Sequence, residues 1–309
     1  MSMQKVLDLT GRHLRSLDEP AGLTIALEEL WLDDNQLASL PESIGQLTNL
    51  KTLSLYNNRL VSLPASLGQL TNLQTLNVAG NHLSTLPDSI GNLTSLHMLD
   101  LGHNQLASLP ESFGKLRNLA FLYLSDNQLA AFPESIEDLR SLIYLNITDN
   151  RLTVLPESIG NLANLVELRL YNNRLASLPE SLGNLIQLRE LHLMNNRIVS
   201  LPASIGNLTR LRKLSLQGNR LSSLPEGIGH LDSLTDLDLR GNLLTSLPES
   251  LGSLTGLRYL DLRANQLASL PASISDLTHL EKLDLRWNKL RPVPEWVWQF
   301  EQRGCTVFI

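Results

Sequence analysis

Cysteine is almost absent from this 309-residue chain: Cys305 stands alone, so neither an internal disulfide nor a cysteine-based zinc site can form. No run of 18 apolar residues is available to cross a membrane, and the N-terminus lacks the apolar core of a signal peptide. The net charge of −6 argues against general attraction to nucleic acid or anionic membranes. These absences predict a cytoplasmic protein, with export without a cleaved signal peptide as the alternative.

Catalytic motifs are missing as well. The chain contains no G-x-x-x-x-G-K-[ST], H-E-x-x-H, G-x-S-x-G or C-x-x-C sequence. The histidines have no cysteine or second histidine at ligand spacing, and we interpret them as isolated surface side chains: His13, His82, His97, His103, His192, His230 and His279. We therefore expect no enzyme, no cofactor and no metal site.

The most regular feature is a repeat. Asparagine recurs twelve times at intervals of 23 residues, from Asn35 to Asn288, without insertion or deletion. Around each asparagine stands L-x-x-L-x-L-x-x-N-x-L, then L-P-x-x-I-G-x-L, and twelve of the fourteen prolines occupy that one position. This pattern predicts a degenerate N-terminal capping repeat (1–26), a twelve-unit array (27–293) and a C-terminal cap (294–309).

The repeat pattern predicts its own local structure. Alternation at Leu53 and Leu55 indicates a short strand with leucines on one face, and Asn57–Asn58 indicates a turn. The Leu-Pro step that follows predicts a short 3-10 or irregular turn, which the next glycine is expected to end. One repeat cannot bury its leucines alone, so stacked repeats should form a parallel sheet over a continuous core. We expect the recurring asparagines inside, bonded to turn backbone.

From about residue 4 to residue 303, this pattern resembles the leucine-rich repeat family. Its 23-residue, LP-containing form is similar to the repeats of intracellular Ras-group scaffolds and of bacterial leucine-rich repeat proteins. The resemblance implies an α/β solenoid, a horseshoe with a parallel β-sheet on the concave face and short 3-10, helical or irregular segments on the convex face. It also implies a non-enzymatic, protein-binding role.

The two ends must cover leucines that the array would otherwise expose. Polar residues mark the N-terminal unit: Lys5, Asp8, Arg12, Asp18 and Glu19. At the C-terminus, Val297 and Phe300 keep the positions of the usual apolar residues, and the last five residues are expected to form a closing edge strand with a buried Cys305. We expect Trp296 and Trp298 to belong to the cap, with a dimer contact as the alternative.

The positions before, between and after the paired strand leucines should face the inner curve. All five tyrosines fall on these positions, and tyrosine, methionine and arginine are typical of interface cores. The densest group, from Met98 to Met194, falls on five adjacent predicted strands. The predicted partner-binding residues are Trp31, Tyr56, Met98, Phe121, Tyr123, Tyr144, Arg169, Tyr171, His192, Met194 and Tyr259.

Charged residues form two further columns on the same predicted face. Asp238, Asp261 and Asp284 recur at one position, and Arg240, Arg263 and Arg286 recur two residues later. We expect these columns to neutralise each other, with a polar extension of the binding surface as the alternative. Arginines that follow consecutive asparagines are expected to be solvated: Arg151, Arg174, Arg197 and Arg220.

The predicted partner is a protein or a peptide. Strands about 4.8 Å apart give a sheet face of roughly 900 Å², which is close to one side of a standard interface, ~800 Å². An open sheet offers no enclosed cleft for a small ligand. An exported bacterial effector or adhesin, and a glycan or ligand sensor, remain alternatives. We expect no nucleic-acid partner, no membrane insertion, and a monomer, with a dimer as the alternative.

Overall fold

The computed structural model of the chain describes residues 5–17 and 23–309, so Asp18 and Glu19 of the predicted N-terminal cap lie outside the described residues. The chain divides into two compact units, Met1–Arg151 (unit 1) and Leu152–Ile309 (unit 2). Within the described residues, no helix is long and apolar enough to cross a bilayer.

Each unit contains a parallel sheet to which every repeat contributes one three-residue strand. Neighbouring strands pair with their central leucines opposite each other, as Leu53 of β3 pairs with Leu76 of β4. In the described part of unit 1 the strands are β1 (Val6–Asp8), β2 (Glu29–Trp31), β3 (Thr52–Ser54), β4 (Thr75–Asn77), β5 (Met98–Asp100), β6 (Phe121–Tyr123) and β7 (Tyr144–Asn146). In unit 2 they are β8 (Glu167–Arg169), β9 (Glu190–His192), β10 (Lys213–Ser215), β11 (Asp236–Asp238), β12 (Tyr259–Asp261), β13 (Lys282–Asp284) and β14 (Thr306–Phe308).

Short 3-10 helices lie on the other side of the leucine core. Each follows a proline with extended backbone, such as Pro41 at φ −72° and ψ 152°, because the ring fixes φ. In unit 1 they are Glu42–Gln46, Ala65–Gln69, Asp88–Asn92, Glu111–Lys115 and Glu134–Asp138. In unit 2 they are Glu157–Asn161, Glu180–Asn184, Ala203–Asn207, Glu226–His230, Glu249–Ser253 and Ala272–Asp276. The predicted solenoid of strands and 3-10 turns is therefore confirmed in each unit.

The recurring asparagines satisfy backbone groups in two successive repeats. The Asn81 side-chain Oδ1 accepts the Leu60 N–H at 2.9 Å, and its Nδ2 donates to the carbonyls of Leu55 at 2.9 Å and Val78 at 3.0 Å. Asn81 is only 4% exposed, so these bonds are shielded from water. The residue before the buried asparagine adopts left-handed backbone, as at Asn57 with φ 54°. The predicted structural role of this column is confirmed.

Glycine in the 3-10 turns has a different role from the predicted one. Gly91 lies inside Asp88–Asn92 rather than ending it. A Cβ built on Gly91 would stand 2.3 Å from the Ser112 carbonyl oxygen of the next repeat. The glycine is therefore required by the close approach of successive turns, and the expectation that it serves as a helix stop is wrong.

The C-terminal cap departs from the repeat by forming an α-helix. Helix α1 (Val297–Gln302) replaces the twelfth 3-10 turn, and it buries Val297 and Phe300 as the sequence predicts. The Trp296 and Phe300 rings meet edge to face at 6.1 Å. Strand β14 pairs with β13 and closes the sheet of unit 2, as predicted. Cys305, just before this strand, is buried, and burial raises the pKa of its thiol to about 11. The cap leaves Trp298 47% exposed.

Replacing Asn150 by alanine should destabilise the fold. Asn150 Oδ1 accepts the Leu129 N–H at 2.9 Å, and Nδ2 donates to the Leu124 carbonyl at 2.8 Å. Because these buried groups would lose their partner, we expect Asn150→Ala to lower the free energy of unfolding by about 1–3 kcal/mol. Urea denaturation followed by circular dichroism measures the change. The exposed Asn207 serves as control, and an Asn150→Ala midpoint equal to that of Asn207→Ala would contradict the assignment.

Gly91→Ala should also be destabilising, because the new methyl group would meet backbone that cannot move independently. We expect a loss of about 1–3 kcal/mol in the free energy of unfolding, the usual cost of overpacking. Gly256→Ala is the matched control, since its Cβ would lie no closer than 3.8 Å to any neighbour. Equal unfolding midpoints for the two variants would show that close packing does not require the glycine.

Candidate interaction surface

The strand face is the side of each sheet turned away from the leucine core, and it carries the side chains that flank the strand leucines. Its positions are unequally exposed. The position between the leucines is often buried: Ser54 is 2% exposed and Asp284 has no exposed surface, whereas Tyr56 after the second leucine is 44% exposed. Side chains at the middle position are covered by neighbours on both adjacent strands, so not every predicted face position can contact a partner.

In unit 1, four of the predicted residues form an aromatic cluster: Met98, Phe121, Tyr123 and Tyr144. Met98, Phe121 and Tyr144 lie directly opposite one another on β5, β6 and β7. The Tyr123 and Tyr144 rings are 5.0 Å apart between centroids and inclined by 40°, a favourable arrangement for aromatic pairs. All four side chains are half-buried, so each is held by its neighbours yet remains accessible.

The remaining predicted aromatic residues lie apart from this cluster. Trp31 is on β2, where its Nε1 donates to Glu29 Oε2 at 3.3 Å, and Tyr56 follows β3. In unit 2, Tyr259 on β12 donates its hydroxyl to Glu281 Oε2 at 2.8 Å, and this bond and the Glu281 charge raise the pKa of the tyrosine. These residues are on the strand face, as predicted, but as separate side chains.

The corresponding positions of β8 and β9 in unit 2 carry a charged network. Arg169 Nε donates to Glu167 Oε1 at 2.5 Å, and His192 Nε2 lies 3.0 Å from Glu190 Oε2. His192 is 7% exposed, and burial lowers its pKa although the bond to Glu190 opposes this. The interpretation of His192 as an isolated surface side chain is wrong, because the middle position buries it beside two carboxylates. Tyr171 and Met194, which follow β8 and β9, are half-buried.

The spacing of cysteine and histidine alone does not reveal the carboxylates beside His192. The sequence does contain the pattern that places them there: E-L-R at 167–169 and E-L-H at 190–192 put glutamates 23 residues apart, at equivalent positions of successive repeats. One ligand atom from each of Glu167, Glu190 and His192 lies within 4.8 Å of the others, a set that could hold a divalent cation. Such an ion would have to displace Arg169 from Glu167 and break the bond between His192 and Glu190.

The aspartate and arginine columns of unit 2 neutralise each other, as expected. Arg263 Nη2 lies 2.6 Å from Asp261 Oδ2, and its Nε lies 3.2 Å from Asp284 Oδ2. Arg286 Nη2 adds a second bond to Asp284 at 2.6 Å. Burial alone would raise the pKa of Asp284, but the hydrogen bonds and charges of Arg286 and Arg263 outweigh it and lower the pKa. The side chains of the asparagine-following arginines are exposed: Arg151, Arg174, Arg197 and Arg220.

Comparison with known families settles the identity of the repeat. The profile described as leucine-rich repeat region matches residues 2–102, 76–143 and 133–217, and two further leucine-rich repeat profiles match 209–253 and 233–290. The chain belongs to the leucine-rich repeat family. A comparison with curated proteins gave no match.

Solved structures of leucine-rich repeat proteins share this fold. A leucine-rich repeat protein of Leptospira interrogans is 38% identical with a TM-score of 0.84, and the match covers 92% of this chain and 72% of that one. The ectodomain of the Arabidopsis receptor kinase HAESA, solved with an IDA peptide hormone, is 35% identical (TM-score 0.71; 85% and 46% covered). The plant peptide hormone receptor RGFR1, solved with RGF2, is 28% identical (TM-score 0.65; 93% and 55% covered).

The repeats of the chain contain both recurring and variable residues. The strand leucines, the buried asparagines and the prolines recur, whereas the strand-face residues differ from one strand to the next. The aromatic cluster of unit 1 and the Glu–Arg–His network of unit 2 therefore depend on individual side chains and not on the repeat pattern.

Replacing Asp284 by asparagine should produce an acid-dependent loss of stability. The pKa of Asp284 is lower in the folded state than in the unfolded state. Its contribution to the free energy of unfolding is therefore fully present above the unfolded-state pKa of about 3.9, and it is lost as the pH falls through the folded-state pKa. We expect Asp284→Asn to cost about 1–3 kcal/mol of unfolding free energy at pH 7. The difference from the unmodified protein should shrink below about pH 4.

Urea denaturation at pH 7, 5 and 3 measures this dependence. The matched control is Asp232→Asn, since Asp232 is an exposed aspartate outside the columns, and its substitution should leave the unfolding free energy nearly unchanged at each pH. A deficit for Asp284→Asn that stays the same at pH 3 would show that the loss does not come from the ion pairs.

Proposed function

We propose that this protein is a non-enzymatic interaction module that binds a protein or peptide partner on the strand face. The observation that carries the proposal is the aromatic cluster of Met98, Phe121, Tyr123 and Tyr144, which is accessible on an open sheet surface. Only 5% of the residues of the chain are aromatic, so its composition does not account for three aromatic side chains at one place. Tyrosine is enriched among the hot spots of protein interfaces, and aromatic residues and methionine are enriched in interface cores.

The geometry of the cluster suits recognition. The three residues in register form an apolar strip across β5, β6 and β7, and the tyrosines add hydroxyl groups that can donate or accept hydrogen bonds. Because the rings already pack against each other and His97 packs edge to face on Phe121 at 5.5 Å, little side-chain freedom remains to be lost on binding. A pre-ordered surface of this kind binds with a smaller entropic cost.

Related structures support a proteinaceous partner. Both plant receptors named above were solved with peptide ligands, RGF2 and an IDA peptide hormone, and the leucine-rich repeat fold is typical of interaction modules rather than of enzymes. The partner in each of those structures is a peptide, which supports a protein or peptide over a glycan for this chain. We propose a scaffold or adaptor role in signalling as the use of this binding.

We further propose a cytoplasmic setting, supported by the single cysteine of the chain, since extracellular proteins of this size usually carry disulfide bridges. Export without a cleaved signal peptide, as an effector or adhesin would require, is the competing possibility. Fractionation of the native cells and their medium decides between them, because an exported protein would accumulate in the medium while a cytoplasmic marker stays inside.

Loss of the tyrosine rings should abolish partner capture without unfolding the protein. We expect Tyr123→Ala in unit 1 and Tyr171→Ala in unit 2 each to weaken capture from the native cell lysate by about tenfold or more, the effect of removing a hot-spot side chain. The double variant should abolish capture, and thermal midpoints should change little because both side chains are partly exposed.

The control substitution is Ile186→Ala, which removes an apolar side chain that is 53% exposed but lies outside the strand face. It should leave capture intact. Undiminished capture by the Tyr123→Ala, Tyr171→Ala double variant would refute the strand face as the binding surface.

A further inference from the structure

Unit 2 shows how this fold binds a guanidinium group on the strand face. Arg286 donates from Nε to Asp284 Oδ1 at 2.9 Å and from Nη2 to Oδ2 at 2.6 Å, a two-point contact. The guanidinium carbon also lies 4.7 Å from the centroid of the Phe308 ring. Phe308 is directly opposite Asp284 on the next strand, so the Asp284 carboxylate and the Phe308 ring both contact the Arg286 guanidinium group.

In unit 1, Asp100 and Tyr123 occupy the corresponding positions, and a glycine stands where the arginine of unit 2 stands. Asp100 is at the middle position of β5, as Asp284 is on β13, and Tyr123 lies directly opposite it on β6. Asp100 Oδ1 accepts the Gly102 N–H at 2.9 Å, as Asp284 Oδ1 accepts the Arg286 N–H at 3.3 Å. The backbone therefore follows the same course, but glycine stands where arginine would supply the cation.

The carboxylate of Asp100 consequently lacks a cationic partner. It is half-buried, and burial raises its pKa, although the bond from Gly102 opposes this. No lysine or arginine among residues 5–17 and 23–309 forms an ion pair with it, in contrast to Asp261 and Asp284. His103 exerts a favourable charge effect on Asp100, but its Nδ1 is bound to Asp126 Oδ2 at 2.9 Å.

We propose that Asp100 and Tyr123 form a binding slot for the guanidinium group of an arginine supplied by the partner. This inference rests on the proposed function and names the chemistry that the partner presents to the aromatic cluster. Arginine fits better than lysine because its planar, forked group can bond both carboxylate oxygens while stacking on a ring. The neighbouring strand-face side chains Asn77 on β4 and Met98 on β5 are uncharged, whereas a protonated His103 competes with an incoming cation for the Asp100 carboxylate.

Asp8 provides a contrast within the same unit. It also has an aromatic residue directly opposite, Trp31 on β2. However, Asp8 is bonded by both the N–H and the hydroxyl of Thr10, and these bonds lower its pKa. The Trp31 indole donates to Glu29. Asp100 therefore differs from Asp8 in the residue two positions later. At Asp100 that residue is Gly102, which has no side chain to bond the carboxylate.

The slot can be tested with a minimal ligand, Nα-acetyl-arginine amide, and its neutral isostere, Nα-acetyl-citrulline amide. The Gly102 amide resonance, observed by nitrogen-15 NMR of the full chain, should report directly on Asp100 because its proton is bonded to that carboxylate. We expect saturable shifts with the arginine ligand at millimolar concentrations. The citrulline ligand should give shifts at least tenfold smaller at equal concentration.

Two variants make the test specific. Asp100→Asn should weaken arginine binding at least tenfold without disturbing the fold, because Asn77 and Asn146 already make the same backbone contact at this position, at 3.0 and 3.1 Å. Gly102→Arg should block the slot by supplying a guanidinium from within the chain, as Arg286 does. Its Cβ would lie 3.2 Å from Asp100 Oδ1 and Ser125 Oγ, which requires only a small adjustment.

Equal shifts with arginine and citrulline ligands, no saturable shift in the unmodified protein, or unchanged binding by Asp100→Asn would each overturn the slot. The proposed function is judged separately by the tyrosine variants. If they lose partner capture while the arginine ligand fails to bind, the interaction surface stands and the arginine slot does not. If the arginine ligand binds but the tyrosine variants capture normally, Asp100 binds a guanidinium group, but the proposed surface and the use of the slot by a partner both fail.

Discussion

Each repeat depends on its neighbours to bury its leucines, and this requirement governs the rest of the structure. A strand of three residues and a 3-10 helix of five cannot form a core alone, whereas strand leucines such as Leu53 and Leu76 become fully buried when repeats stack. The repeats can stack only if each residue packs against the equivalent residue of the next repeat. The constant 23-residue interval, the asparagine that bonds two successive repeats and the glycine that admits the next turn are all consequences of that need.

The same requirement leaves the strand face free to vary. Its side chains point away from the leucine core, so they differ from strand to strand while the leucines that stack remain the same. In unit 1 this freedom is used for an aromatic cluster, and in unit 2 for ion pairs that are satisfied within the chain, such as that of Asp261 and Arg263. The two surfaces therefore differ in chemistry: the first presents partly exposed aromatic rings, while much of the charge on the second is already neutralised.

The sequence was sufficient to predict the elements of each repeat, although it did not predict the role of the recurring glycine. Strands, proline-initiated 3-10 turns, the buried asparagines and the closing strand β14 follow from patterns that recur or from positions that hold the repeat frame, such as Val297 and Phe300. Features that depend on distances between repeats were missed or misassigned. The role of Gly91 requires knowing that the next turn approaches within contact, and the burial of His192 requires knowing that middle positions are covered from both sides.

The candidate site was only partly predictable for the same physical reason. The tyrosines could be placed on the strand face by counting from the leucines, but the diagonal contact between Tyr123 and Tyr144 depends on side-chain direction across two strands. Likewise, the E-L-H sequence contains the neighbours of His192, although nothing in its spacing states which carboxylate the ring nitrogen will bind. The repeat period determines where a residue lies on the sheet, whereas its side-chain rotamer determines which neighbour it contacts.

A repeat protein offers internal comparisons that a non-repetitive fold lacks. Asp284 and Asp100 occupy the same backbone position, and both face an aromatic ring on the next strand, yet only Asp284 has an arginine two residues later. A half-buried carboxylate without a cation contributes less to folding than one that is paired, because desolvation is not offset. The bond from the Gly102 N–H accounts for one oxygen of Asp100 but does not offset the desolvation of its charge. The proposed partner arginine would supply that offset in the complex, where it contributes to affinity instead of to folding.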